Sequence, residues 1–263
     1  VFPELYIAGY PPEDLVLKPA FQAACRAAVE ELARETADGG PALVLGAPWR
    51  DDGKLYNAAA LLAGGRIAAV RYKVDLPNYG VFDEKRVFAA GPMPGPISFR
   101  GVRLGLPICE DIWGPEPTEC IAETGGEILL VLNGSPYRHN VADERLNVIV
   151  PRVKETGLPL IYVNQCGGQD ELVFDGASLA LNADCSLAFQ LSHYQDEVVT
   201  TRWRRQGHSW CCDDGPKQAL LEGDVADYAA CVLVLRDYVN KNGFPGVALG
   251  LSGGSDSALC API

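Results

Sequence analysis

Residues 105–113 read Gly-Leu-Pro-Ile-Cys-Glu-Asp-Ile-Trp, and they set one thiol, Cys109, where an apolar run stops and a carboxylate pair, Glu110 and Asp111, begins. An extended run over 102–108 that breaks at a reactive residue leaves that side chain on a sharp turn at a strand end, exposed to a substrate yet held by the sheet. Cys109 is therefore read as a nucleophile. The plain alternative is packing, because free Cys is among the most buried residue types.

Other stretches favour the chemical reading. Residues 1–5 read Val-Phe-Pro-Glu-Leu and residues 70–79 read Val-Arg-Tyr-Lys-Val-Asp-Leu-Pro-Asn-Tyr, so Glu4 and Lys73 each sit beside Pro and aromatic residues at the end of an apolar segment. A Cys thiol has a reference pKa near 8.5, so only a small fraction is thiolate at neutral pH and a neighbouring base or cation is needed. Glu4 can take the proton. Lys73 can hold the negative charge that appears on a carbonyl oxygen under attack, a contact worth about 3 kcal/mol when preorganised.

In the order Glu, Lys, Cys these motifs resemble the nitrilase, or carbon-nitrogen hydrolase, superfamily. Within it, residues 9–15 (Gly-Tyr-Pro-Pro-Glu-Asp-Leu), 76–86 (Leu-Pro-Asn-Tyr-Gly-Val-Phe-Asp-Glu-Lys-Arg) and 108–113 (Ile-Cys-Glu-Asp-Ile-Trp) are similar to the glutaminase half of the glutamine-dependent NAD synthetase family. Residues 250–257, Gly-Leu-Ser-Gly-Gly-Ser-Asp-Ser, resemble the pyrophosphate loop of ATP-splitting ligases and lie downstream, as in that family. The resemblance implies an α/β fold, a nitrilase-like four-layer α-β-β-α sandwich followed by the beginning of a Rossmann-like ATP-pyrophosphatase domain. It implies Glu4, Lys73 and Cys109 as catalytic residues, and Tyr79, Glu84, Glu110 and Ser135 around glutamine, with Glu84 also supporting Lys73. It implies Gly250, Leu251, Ser252, Gly253, Gly254, Ser255, Asp256 and Ser257 as ATP-binding. Glutamine, ATP with Mg2+, and nicotinic acid adenine dinucleotide are the implied substrates and cofactor, with none in the glutaminase half. GMP and asparagine synthetases are disfavoured, since their glutaminase halves lack this Glu, Lys, Cys order.

The 263 residues are 48% hydrophobic and 21% charged, ample for a core and part of a second domain. A net charge of -12 argues against nucleic acid as a partner, and no apolar run reaches the roughly 18 residues of a membrane span. The nine Cys are an odd number without Cys-x-x-Cys spacing, which points to reduced thiols in a cytoplasmic setting. A homo-oligomer is the expected assembly. The chain opens in mid-motif without an initiating Met and closes soon after the phosphate loop, so a fragment is expected: 1–201 a glutaminase domain lacking its N-terminus, 202–223 a linker, 224–263 the truncated start of a synthetase domain.

Helical spacing predicts helices over 21–36, near 117–124, over 141–155 and over 224–240, the last with Tyr228, Cys231, Leu235 and Tyr238 in register. Strands are predicted at 43–47, 58–62, 67–72, 128–132, 160–163, 174–180, 186–190, 197–201 and 246–251, with hairpin turns at Gly64-Gly65 and Arg100-Gly101. The stretch 202–215, dense in Trp, Arg, Cys and Asp, shows no period, and Cys211 and Cys212 are read as structural or incidental.

Asn133-Gly134-Ser135-Pro136 and residues 164–170 each follow an apolar strand, which places polar groups at a sheet's rim, although Asn and Gly are also ordinary turn formers. Cys166 is the rival nucleophile, without a Glu or Lys motif of its own. Close relatives carry a basic residue after the Ser-Pro pair that helps grip substrate; Val141 stands there, with Arg138 and His139 nearby as candidate replacements. Tyr79 as a core ring and Glu84 as one charge on a solvated run remain open, as does Ser252 in a Gly-x-Ser-x-Gly nucleophile elbow. A free-standing amidase or nitrilase and a non-catalytic nucleotide-binding fragment are the alternatives to a synthetase.

Overall fold

The structure, a computed structural model, describes residues 1–207 and 209–263. After helix α1 (Pro19–Glu35), strands β1 (Leu43–Asp51), β2 (Lys54–Ala63) and β3 (Arg66–Tyr72) form an antiparallel sheet with Val44 opposite Leu61 and Gly46 opposite Ala59. Both faces of this sheet are covered, which is why residues 58–63 of β2 read as an unbroken apolar run. Ala58, Ala60 and Leu62 meet Val29 and Ala33 of α1, whereas Ala59 and Leu61 face a second sheet.

A short helix, α2 (Glu84–Val87), leads to the hairpin β4 (Ile97–Phe99) and β5 (Val102–Gly105), then α3 (Glu116–Glu123), β6 (Ile128–Asn133), α4 (Val141–Thr156) and β7 (Leu160–Asn164). A separate ribbon, β8 (Cys166–Gln169) and β9 (Leu172–Asp175), precedes β10 (Leu179–Leu181) and β11 (Leu187–Gln190). The second sheet has the order β11-β10-β7-β6-β5-β4, with β5, β6 and β7 parallel. One face packs Leu106, Ile108, Leu130 and Leu132 against Val44 and Leu61; the other packs Leu129, Val131 and Tyr162 against Ile121, Ile149 and Val153 of α3 and α4. Helix, sheet, sheet, helix is the four-layer sandwich that the motifs imply.

Five expectations differ from the structure, and the first is the strand expected at 174–180, which residues 176–178 divide between β9 of the ribbon and β10 of the second sheet. Residues 197–201 form no strand, and Val198 is fully exposed. The aperiodic stretch after it instead holds a hairpin, β12 (Trp203–Gln206) and β13 (Ser209–Cys212), whose Trp203, Trp210 and Cys212 pack on the second sheet; His208 lies outside the described residues. Helix α5 (Gly223–Lys241) forms, but it buries Ala226, Ala230 and Leu233 while Tyr228 and Tyr238 stay exposed. Small side chains let this helix approach β8 so closely that a Cβ on Gly168 would lie 2.8 Å from the Val234 Cα. Residues 246–251 are irregular and exposed, because among the described residues no strand lies beside them to complete a ladder. The helix α6 (Ser255–Cys260) follows them.

Candidate active site

The parallel strand β6 guides the chain from β5 to the thiol: Ile108 bridges to Leu132, and Cys109 then takes φ of +46° and opens a one-turn 3-10 helix through Ile112. A left-handed backbone on a residue with a Cβ is strained, and such positions persist where surrounding structure holds them. Asp111 does the holding. One of its carboxylate oxygens accepts from Ile108 N at 2.9 Å, and the other accepts from Val74 N and Asp75 N, each at 2.9 Å. Burial pushes the Asp111 carboxyl up to about 7, against the pull of those three N–H donors.

Glu4 reaches the thiol from the other sheet. Its segment lies along β1, with Phe2 N donating to Val44 O, Gly46 N to Pro3 O and Ile7 N to Gly46 O. A Cβ on Gly46 would sit 2.3 Å from Leu5 N, so only glycine admits this approach. Glu4 is fully buried; one of its oxygens accepts from Asn57 Nδ2 and Lys73 Nζ, both at 2.7 Å, and the other accepts from Gly134 N at 2.9 Å. The close packing of Gly134 leaves no room for a side chain, since a Cβ there would meet the Tyr10 ring at 2.9 Å.

Lys73 follows β3, its N–H donating to Asn57 O at 2.8 Å. Its ammonium bridges Glu4 and Glu84, the latter at 2.8 Å, and Tyr10 OH donates to Glu84 at 3.0 Å. Burial alone would lower the Lys73 pKa, yet the carboxylates of Glu4 and Glu84 hold it well above the ordinary lysine range, so the ammonium is charged. Burial raises Glu84, which Lys73 partly offsets. For Cys109, burial and then Glu4 push the thiol well above its usual range while Lys73 pulls the other way. At rest Cys109 is therefore a neutral thiol in the field of a fixed ammonium and a carboxylate.

Glu84 and Tyr79 both depart from the plainer of their alternatives. Glu84 is buried on Lys73 and is no part of a solvated run, while Tyr79 is exposed and donates to Glu110 at 3.0 Å. Tyr79 and Glu110 line a cleft of about 680 Å³ with Asp75, Lys85 and Trp113. Ser135 sits at the end of β6, its N–H held by Asn164 Oδ1 at 3.0 Å. The basic residue beside it is neither Arg138, which pairs with Glu144, nor His139, which faces Asp227. It is Arg145 on α4, which donates to Ser135 O at 2.8 Å and Ser135 Oγ at 3.2 Å and forks onto the buried Asp175.

Sequence reading misses Tyr10, Asn57, Asp111, Arg145 and Asp175. The available signals were a lone Asn in the apolar β2 run and an Arg on the buried face of α4. Asn133 bonds backbone carbonyls of β6 and β7 and is structural, whereas Gly134 joins the site. Cys166 packs between the β8–β9 ribbon and α5; burial and then Asp196, Asp175 and Asp237 push its thiol up to about 12. Far from all of this in sequence, Gly250, Leu251, Ser252, Gly253 and Gly254 form an exposed approach to α6, whose first turn holds Ser255, Asp256 and the half-buried Ser257. There Ser257 Oγ accepts from Ser252 N at 3.2 Å and lies 3.0 Å from Ser252 Oγ. Among the described residues no helix is long and apolar enough to cross a membrane.

The glutamine-dependent NAD(+) synthetase of Rhodobacter capsulatus is 47% identical over 262 residues, 99% of this chain and 47% of that protein. That of Xanthomonas campestris pv. campestris is 40% identical over 98% of this chain and 47% of its own length. The chain thus spans about half the length of the curated relatives it matches. Among solved structures, a glutamine-dependent NAD+ synthetase from Acinetobacter baumannii in complex with ADP aligns with a TM-score of 0.92 at 36% identity, over 99% of this chain and 49% of that one. An amidase from Nesterenkonia sp. aligns with a TM-score of 0.63 at 29% identity, over 73% of this chain and 72% of that one. The NAD synthase family model matches residues 227–263. The carbon-nitrogen hydrolase model matches residues 1–207, the span that holds both sheets and the Glu4, Lys73 and Cys109 cluster, and the chain belongs to that family.

Proposed function

We propose that this chain carries the glutaminase site of a glutamine-dependent NAD synthetase. The observation that carries the reading is the buried Glu4–Lys73–Glu84 ion network acting on the Cys109 thiol. In this reading Cys109 Sγ attacks the side-chain amide carbon of glutamine while Glu4 takes the thiol proton. The Lys73 ammonium stabilises the oxyanion, Glu4 passes the proton to the departing ammonia, and water then releases glutamate from the thioester. Tyr79, Glu110 and Ser135 hold the substrate, with Ser135 set in place by Arg145.

The downstream residues 250–257 take the phosphates of ATP, as the resemblance implies, and the ammonia displaces AMP from adenylated nicotinic acid adenine dinucleotide to give NAD. Among the described residues no three His, Cys, Asp or Glu side chains converge on a metal position, and Asp256 is the one carboxylate in the loop. Mg2+ that travels with ATP takes one or two protein carboxylates beside the nucleotide's own phosphates, so Asp256 would be the residue of this loop to hold it. A cytoplasmic, homo-oligomeric enzyme is part of the same reading.

The test is glutamate release from glutamine by this chain and by Cys109→Ala, with circular dichroism to match their folding. Release that disappears in the variant supports the glutaminase site. The likeness to the Nesterenkonia amidase favours a second reading, a free-standing amidase. Faster hydrolysis of other amides than of glutamine would favour it.

A further inference from the structure

We propose that Asp111 is a positioning residue whose carboxylate fixes the separation of the nucleophile from the ammonium, by tying the backbone just after Lys73 to the backbone just before Cys109. The proposal rests on the glutaminase reading of the site and concerns a residue that reading leaves unused.

The geometry separates this role from ordinary turn capping. A cap of the one-turn helix needs only the bond from Ile108 N to Asp111 Oδ2. The second oxygen is not needed there, yet it accepts two further N–H groups, from Val74 and Asp75, which belong to the other sheet's chain segment. Three donors from two segments more than 30 residues apart thus converge on one carboxylate that is 1% exposed. Val74 directly follows Lys73, and Ile108 directly precedes Cys109. Because Lys73 is carried by the first sheet and Cys109 by the second, sliding of one sheet on the other would change the distance between thiol and ammonium. A rigid two-atom bridge between them opposes that slide. It also holds the left-handed backbone at Cys109, with Asp111 N donating back to Ile108 O at 3.0 Å.

The experiment uses Asp111→Asn, close to isosteric, which presents N–H groups where one oxygen accepted. Folding is followed by circular dichroism and thermal melting, and turnover by kcat and KM for glutamine. The rate of iodoacetamide labelling at Cys109 is read peptide by peptide against the other cysteines. A misplacement of about 1 Å costs on the order of 100-fold in rate, so kcat should fall roughly 10- to 100-fold with KM changed by less than about threefold. Cys109 labelling should slow by about fivefold or more as the thiol leaves the ammonium's field, with the other thiols unchanged. A lower melting temperature with wild-type kcat and labelling per folded molecule would overturn the proposal and leave Asp111 a structural cap. Should Asp111→Asn not fold, Asp111→Ser, which accepts one N–H, is measured in the same way; failure of both to fold would also overturn it. If the wild-type chain hydrolyses no amide, the glutaminase reading fails on its own, and the labelling rate still decides the tie.

Discussion

Lys73 Nζ lies 2.7 Å from Glu4 Oε1 and 2.8 Å from Glu84 Oε1, so one buried ammonium is shared by two buried carboxylates. Two carboxylates thus face one ammonium where all three side chains are buried. The two carboxylates keep Lys73 protonated against its burial, and burial first and Glu4 second keep the Cys109 thiol neutral.

Lys73→Met removes the cation and leaves two carboxylates facing one another. Turnover of glutamine should fall by about 100-fold or more, the loss expected of an oxyanion donor. Stability should fall by about 3–5 kcal/mol, because removing one partner strands the buried charges of the other. Steady-state kinetics and a denaturant melt on the same preparations check both, and an unchanged rate in the folded variant would remove Lys73 from the mechanism.

The Cys109 shift has a pH signature. Its folded pKa lies above the unfolded thiol value, so above about pH 8.5 the unfolded chain releases a proton that the native state retains. Stability contributed by the buried neutral thiol is complete below that pH and is lost as pH rises toward the folded pKa. Melting temperature should therefore drop more steeply between pH 8 and 10 in wild type than in Cys109→Ala, on the order of that linkage. Parallel curves would show a thiol with an ordinary pKa.

Tyr79 touches the site through Glu110 alone, its hydroxyl spanning both carboxylate oxygens at 3.0 Å. Tyr79→Phe should raise KM for glutamine roughly 2- to 10-fold, the scale of one lost hydrogen bond, and leave kcat near wild type. A fall in kcat at constant KM would move Tyr79 from substrate binding to the chemical step.

Much of this arrangement is legible before the structure. Cys109 ends an apolar run, and Glu4 and Lys73 end two others, so the ends of apolar segments announce the three groups of the site. The supports are not legible in the same way, because they are long-range. Asn57 looks like a stray polar residue in β2 until its amide is seen 2.7 Å from Glu4. Asp111 reads as the second half of a carboxylate pair, although its oxygens serve backbone 36 residues upstream. The face of α5 was missed for a packing reason: spacing marked its large residues, whereas the close approach to Gly168 selected its small ones.

Arg145 shows how such a hidden support is tested. Its guanidinium forks onto both oxygens of Asp175, which is fully buried, at 2.8 Å, and the same group donates to Ser135 O and Ser135 Oγ. Arg145→Met strands the Asp175 carboxylate and should destabilise the fold by about 3–5 kcal/mol. Arg145→Lys keeps the charge but replaces a planar fork of five donors with three donors on a point charge, so it can pair with Asp175 or hold Ser135 but not both in this geometry. The ion pair, being the buried partner, should keep the lysine. Ser135 then loses its clamp, and KM for glutamine should rise about tenfold while the melting temperature drops by only a few degrees. Kinetics and melting on the two variants separate the roles: KM at the wild-type value in Arg145→Lys would show that Asn164 alone holds Ser135 in place.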